Sequence, residues 1–243
     1  MSSPLKSRSR YIYAVIVVVV VISLPIFIWK GSVGEKEVAA SFLAMVGTFL
    51  GALFAFRLNE NKENMKVEEE RKATLNRALF VVARQINALK SLSKHLAPFH
   101  TEFERAFNLP AVRPPSYSAL VHDFQDLDFL LEVGHPNVFM RLSVEQEGFH
   151  QTLESLRVHN DFYVDEVQPV IAKNSFNRKP VPAQEFEAAL GERLFGTAIN
   201  SANILYSLVA ESAQSLPTMH TELFGVAKML YPDEKFIKLA PEA

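Results

Sequence analysis

Two uncharged apolar stretches, residues 11–29 and 38–56, stand only eight residues apart near the start of this 243-residue chain. Each is 19 residues long. As a helix, at about 1.5 Å per residue, such a stretch is roughly 28 Å long, close to the hydrocarbon thickness of a bilayer. Backbone entering lipid must satisfy its polar groups internally, so both stretches are expected to be helical. Joined by the short polar segment 30–37, they predict a transmembrane hairpin.

Residues 1–10 form a basic leader with Lys6, Arg8 and Arg10. A secretory signal begins in the same way, but its apolar core is usually shorter, roughly 7–15 residues, and a small-x-small cleavage site follows it. Here the chain continues Phe27-Ile28-Trp29-Lys30, which predicts an uncleaved anchor. Tyr11, Tyr13 and Trp29 lie where interfacial aromatic belts form, and Pro25 is placed to bend the last turn. Lys and Arg are in excess on both outer flanks: the leader on one side, and Arg57, Lys62, Lys66, Arg71 and Lys72 on the other. The positive-inside rule then puts both termini in the cytoplasm of a multi-pass inner-membrane protein and 30–37 outside. The absence of cysteine agrees with a cytoplasmic soluble part that needs no disulfides.

After Gly51 there is neither glycine nor proline until Pro98. One helix is therefore expected to run from the bilayer to about Leu96, through a neck and long helix spanning 57–97. The neck is highly charged and reads as a solvated helix face. Beyond it Leu75, Leu79, Val82, Ile86, Leu89, Ser93 and Leu96 alternate by four and three, a heptad seam with one polar member. Phe80 and Val81 widen that seam, so it serves a coiled coil or the core of a domain.

Residues 98–243 predict a helical cytoplasmic domain, and the fold class is all-α. Helical spacing or breakers suggest a short helix or turn over 101–109, a proline loop at 110–115, and helices over 118–133, 138–159, 182–216 and 218–230. Asn137 is a candidate N-cap, Asn174 opens a polar loop, Pro217 is expected to end a helix, and Gly191 and Gly196 offer close helix approach. The tail, with Phe236, Ile237 and Leu239, suits a short extended segment.

Chemistry-bearing motifs are lacking. There is no phosphate-binding glycine loop, no cysteine-based metal site and no His-Glu-x-x-His. The seven histidines are scattered and read as surface or capping residues; His95 and His100, with Pro98 between them, do not share a helix face. Asp123, Asp126 and Asp128 lack the glycine and distal glutamate of a calcium loop. Glu145 and Glu147 fall on different helix faces. With a net charge of −2 and no basic stripe interleaved with aromatics, direct nucleic-acid binding has no support. The expectation is a non-enzymatic protein without cofactor or metal.

The second span carries one specific feature. Ala40, Ala44, Gly47, Gly51 and Ala55 are spaced four, three, four and four, a stripe of small side chains that lets helix backbones approach in lipid. Its partner is either the first span of the same chain or another subunit. Neither span has an ionisable residue, which argues against a dedicated solute carrier. What remains is an anchor or a bilayer-perturbing effector.

The order of basic leader, two-helix hairpin, charged neck and helical domain resembles the two-transmembrane effectors of bacterial antiphage systems, including those encoded beside retron reverse transcriptases. The resemblance covers residues 6–96 as an architecture; 101–243 match no signature of that group. It implies a toxin-like effector that damages the inner membrane when released from inhibition. Its expected partners are the lipid bilayer, further copies of itself in a homo-oligomer, and a cytoplasmic regulatory protein or ribonucleoprotein. The competing expectation is a non-toxic anchor or scaffold that holds a partner at the membrane.

Overall fold

The computed structural model describes residues 33–112, 117, 119–176 and 181–239. Among them all regular structure is helical and no strand occurs. Two compact units divide the chain, Met1–Val67 and Glu68–Ala243. The first expected span, 11–29, and most of the loop after it lie outside the described residues, so the second span alone can be followed.

Helix α1 runs unbroken over Val33–Leu96, 64 residues. With no proline or glycine after Gly51, nothing in its sequence interrupts the ladder of i to i−4 hydrogen bonds. In the first unit its side chains from Ala40 to Phe56 are exposed or half-exposed, and residues 57–67 are all exposed.

In the second unit, the rest of α1 turns one face into a core. Leu75, Leu79, Val82, Ile86, Leu89 and Leu96 are all buried there. So are Thr74, Ala78, Gln85, Ala88 and Leu92, which makes the face broader than an a/d seam and typical of a helix packed on a domain. Leu92 rather than Ser93 fills the inward position, and Phe80 faces outward at 48% exposure while Val81 packs against the core.

Short helix α2 follows at Glu102–Phe107. Thr101 caps it: its Oγ1 accepts from the Glu104 N–H, and the Glu104 carboxylate accepts from the Thr101 N–H, a reciprocal capping box. Helix α3 is a single turn, Phe129–Glu132, and α4 spans Pro136–Phe162. The segment before α3 is not the helix expected over 118–133. Its backbone groups are taken by side chains instead. Gln85 Nε2 donates to Leu120 O at 3.0 Å, the His122 N–H donates to Gln146 Oε1, and Asp123 Oδ1 accepts from the Gln125 N–H at 2.9 Å. Those bonds compete with a helical ladder and, with Leu120 and Leu127 buried, they prevail. At the start of α4, Pro136 takes a first-turn position and His135 the cap, so Asn137 is not the N-cap.

A π-helical turn, Tyr163–Val167, joins α4 to α5, Gln168–Lys173. Pro169 explains it: without an N–H it cannot bond the Asp165 carbonyl, and the preceding Gln168 N–H reaches back to Tyr163 O. Helix α6 covers Ala183–Leu230 with one break, at Gly191, where φ is 77° and ψ 156°. Only glycine holds that conformation without strain. No neighbour lies within 4 Å of where a Cβ would stand on Gly191 or Gly196 among the described residues, so these glycines make a kink and an open face rather than a close approach.

Pro217 does not end α6. A mid-helix proline costs about 3 kcal/mol. Leu216, Met219 and Leu223 around it are all fully buried, each contributing about 1.5–3 kcal/mol. Packing therefore outweighs the lost bond.

The core of the second unit has three apolar clusters. The largest joins α1, α3, α4 and the end of α6 through residues such as Leu79, Leu130, Phe149 and Met219. A second, rich in aromatics, gathers Phe107, Val167, Phe186 and Leu190. The third links Leu92 and Leu96 to Leu156, Leu205 and Val209. After α6 the chain turns back along α1. Tyr231 OH donates to Glu68 Oε2 at 2.6 Å, Lys72 lies 3.6 Å from Glu234, and Asn76 accepts from the Ile237 N–H at 3.1 Å.

Candidate functional site

Among the described residues one helix is long and apolar enough to cross a membrane, within Ala40–Leu96, where the apolar window has a mean hydropathy of 1.7. None of that window is buried. Phe42, Leu43, Met45, Phe49, Phe54 and Phe56 are each about half to two-thirds exposed. In water, leaving a single such side chain uncovered forgoes about 1.5–3 kcal/mol, so a run of them is costly there. The one hydroxyl at the middle of the span is satisfied locally: Thr48 Oγ1 donates to Ala44 O at 2.9 Å. At the polar end Arg57 pairs with Glu60 one turn on, at 3.7 Å.

Ala40, Ala44, Gly47, Gly51 and Ala55 all lie on this uncovered helix, and each is exposed. Among the described residues nothing stands within 4 Å of a Cβ placed on Gly47 or Gly51. The stripe is thus a bare groove at the level of these residues. The six apolar residues from Leu75 to Leu96 named above lie in the second unit and are core.

The helical domain carries buried histidines that sequence spacing did not reveal. His122, His159 and His220 are buried, at 6%, 1% and 2% exposure, whereas the scattered histidines read as surface groups. Their positions in the sequence carry no mark of it, because two of them lie on long helices among apolar and polar neighbours alike. Burial pushes the pKa of all three down, and His122, with His150 nearby, falls to about 4. They are neutral at pH 7.

Among the described residues, His159 and Ser201 form the pair that most invites a catalytic reading. His159 Nδ1 and Ser201 Oγ are 2.9 Å apart. Ser201 Oγ also reaches Ala198 O at 3.0 Å, and that carbonyl competes with the imidazole for the one proton that a base-activated serine must give up. The far nitrogen, His159 Nε2, is buried without a partner among the described residues, where a catalytic histidine would be oriented by an acid. Thr152 and Ser212 make a second polar contact between α4 and α6, 3.1 Å apart, with Thr152 also donating to Gly148 O. Both are interhelical ties. Among the described residues no three His, Asp or Glu side chains gather as a metal site. Comparison with protein-family models, known proteins and solved structures returns no match.

Proposed function

We propose that this chain is a non-enzymatic inner-membrane effector, toxin-like in action, whose helical domain receives a signal and whose membrane segment disturbs the bilayer. The observation that carries the reading is α1. One uninterrupted helix includes both an uncovered 17-residue apolar segment, Ala40 to Phe56, and the central core helix of a folded domain. The layout of leader, hairpin and charged neck, with its resemblance to antiphage effectors, supports the defence role and suggests regulation by a cytoplasmic protein or ribonucleoprotein. Both termini are proposed to be cytoplasmic, from the distribution of Lys and Arg. The groove along Gly47 and Gly51 favours a homo-oligomer. The second reading, a passive anchor holding a partner at the membrane, is favoured by the absence of any charge in the span.

Induced expression separates the two. An effector depolarises cells when made without its regulator; an anchor is tolerated at the same membrane level. The chain has no native cysteine, so topology is tested in the same cells with single thiols. Ser32→Cys should react with an impermeant reagent in intact cells, and Ser207→Cys, an exposed position of the helical domain, should react only after lysis. Full membrane potential at high expression would leave the anchor reading standing, and labelling of Ser207→Cys in sealed cells would reverse the orientation.

A further inference from the structure

Beyond α6 the chain lies along α1 within the second unit. Residues 235–239 are neither helix nor strand, yet they are held by their backbone. The Asn76 side-chain amide donates to Lys235 O at 3.4 Å and accepts from the Ile237 N–H at 3.1 Å. Those two groups flank Phe236, and a neighbouring strand would engage the same pair. One amide side chain offers both a donor and an acceptor, so a single helical residue takes the place of that strand.

The tail's side chains add to this pairing. Tyr231 OH donates to Glu68 Oε2 at 2.6 Å, and Lys72 Nζ lies 3.6 Å from Glu234 and 5.6 Å from the centre of the Tyr231 ring. Phe236 and Leu239 rest, half-buried, on the main apolar cluster. Glu68, Lys72 and Asn76 follow one another at four-residue spacing on α1, so they share one face. Backbone pairing gives such a face affinity for any extended segment, and the flanking charges and apolar floor select which.

The hydrogen bonds that tie the tail to α1 are solvent-exposed. Water replaces exposed bonds and ion pairs at little net cost, and a terminal segment held this way opens without unfolding the core. We propose that this face of α1 is a docking site for an extended peptide segment. The chain's own tail fills it in cis, and a segment of a regulatory protein displaces the tail. The displacing segment carries the tail's pattern: an aromatic residue, a carboxylate three positions on for Lys72, and an apolar residue two positions further. Docking and displacement are properties of the helical domain; only the assignment of the displacing segment to a regulator rests on the function proposed above.

The full chain in lipid nanodiscs carries the test, with a nitroxide on Lys238→Cys, an exposed tail position, as its sole thiol. The probe is a synthetic peptide of residues 231–239. A tethered tail has an effective concentration in the millimolar range, so peptide at that level should convert the slow spectrum of a docked label to a fast one, saturably. A scrambled peptide of the same composition should not. Asn76→Ala should raise the ratio of fast to slow label about tenfold without peptide, for the loss of both backbone bonds. A fast label in the absence of peptide, no response at millimolar peptide, an equal response to the scrambled peptide, or an unchanged ratio in Asn76→Ala overturns the proposal. Benzophenone maleimide on the same thiol should crosslink within one chain. Crosslinks between differently tagged copies overturn the proposal too, because the site would then belong to the tail of a second copy.

Discussion

His122 ties stability to acidity. Its ordinary pKa near 6.5 falls to about 4 in the fold, so the unfolded chain binds a proton between those values that the folded chain refuses. Stability from this residue is therefore complete above pH 6.5 and is lost as the pH drops toward 4, by about 3 kcal/mol. His159 and His220 are shifted in the same direction by burial and steepen the same window. Urea melts at pH 7 and pH 4.5 should show a smaller acid loss for His122→Leu than for the natural chain; parallel losses would mean that His122 is accessible to protons in the fold. Tyr231 is displaced the other way. Burial and the Glu68 carboxylate push its hydroxyl up to about 12, so it stays a donor to Glu68 throughout the physiological range. These residues were not legible in the sequence. A histidine has the same letter on a surface and in a core, and what buries His159 and His220 is the docking of α4 and α6, which local spacing does not encode. The Thr101 and Glu104 cap is different, because its four-residue pattern is local.

Helix α1 was readable from residue 38 to Leu96 for the same reason: its apolar length, its lack of breakers and its periodic face are properties of consecutive residues, whereas its start at Val33 falls inside the segment 30–37 expected as a loop. The errors fall where tertiary contacts override local rules. Pro217 lies inside α6 because full burial of Leu216, Met219 and Leu223 outweighs a missing hydrogen bond. The apolar run at 118–133 has helical spacing, yet side chains from α1 and α4 claim its backbone groups. If α1 transmits a signal as one rod, a flexible Gly-Ser insertion between Lys62 and Lys66 should abolish toxicity while membrane insertion persists. Leu79→Asp, which buries a charge without a partner, should instead unfold the helical domain, at a cost of several kcal/mol. Protease sensitivity distinguishes them: the insertion leaves the domain resistant and the core variant does not. Normal toxicity of the inserted chain would show that continuity of the helix is dispensable.

At the scale of the whole molecule, the small-residue groove is the feature that tests the proposed assembly. Gly47→Leu with Gly51→Leu keeps the span apolar, so insertion should survive. Close backbone packing should not. The expected result is a normal membrane level with loss of both crosslinked oligomers and toxicity. Unchanged crosslinking and toxicity would move assembly to another surface. The return of the chain onto α1 also fixes an order of events in synthesis. Tyr231, Glu234 and Ile237 contact Glu68, Lys72 and Asn76, side chains made some 160 positions earlier. A ribosome adding about 5–20 residues per second needs roughly 8–30 s to cover that interval. The apolar segment therefore leaves the ribosome well before the clamp that completes its domain exists. During that interval the newborn chain presents its apolar helix beside an unfinished domain, and a regulator of the effector proposed above would have to act on the nascent form or tolerate it.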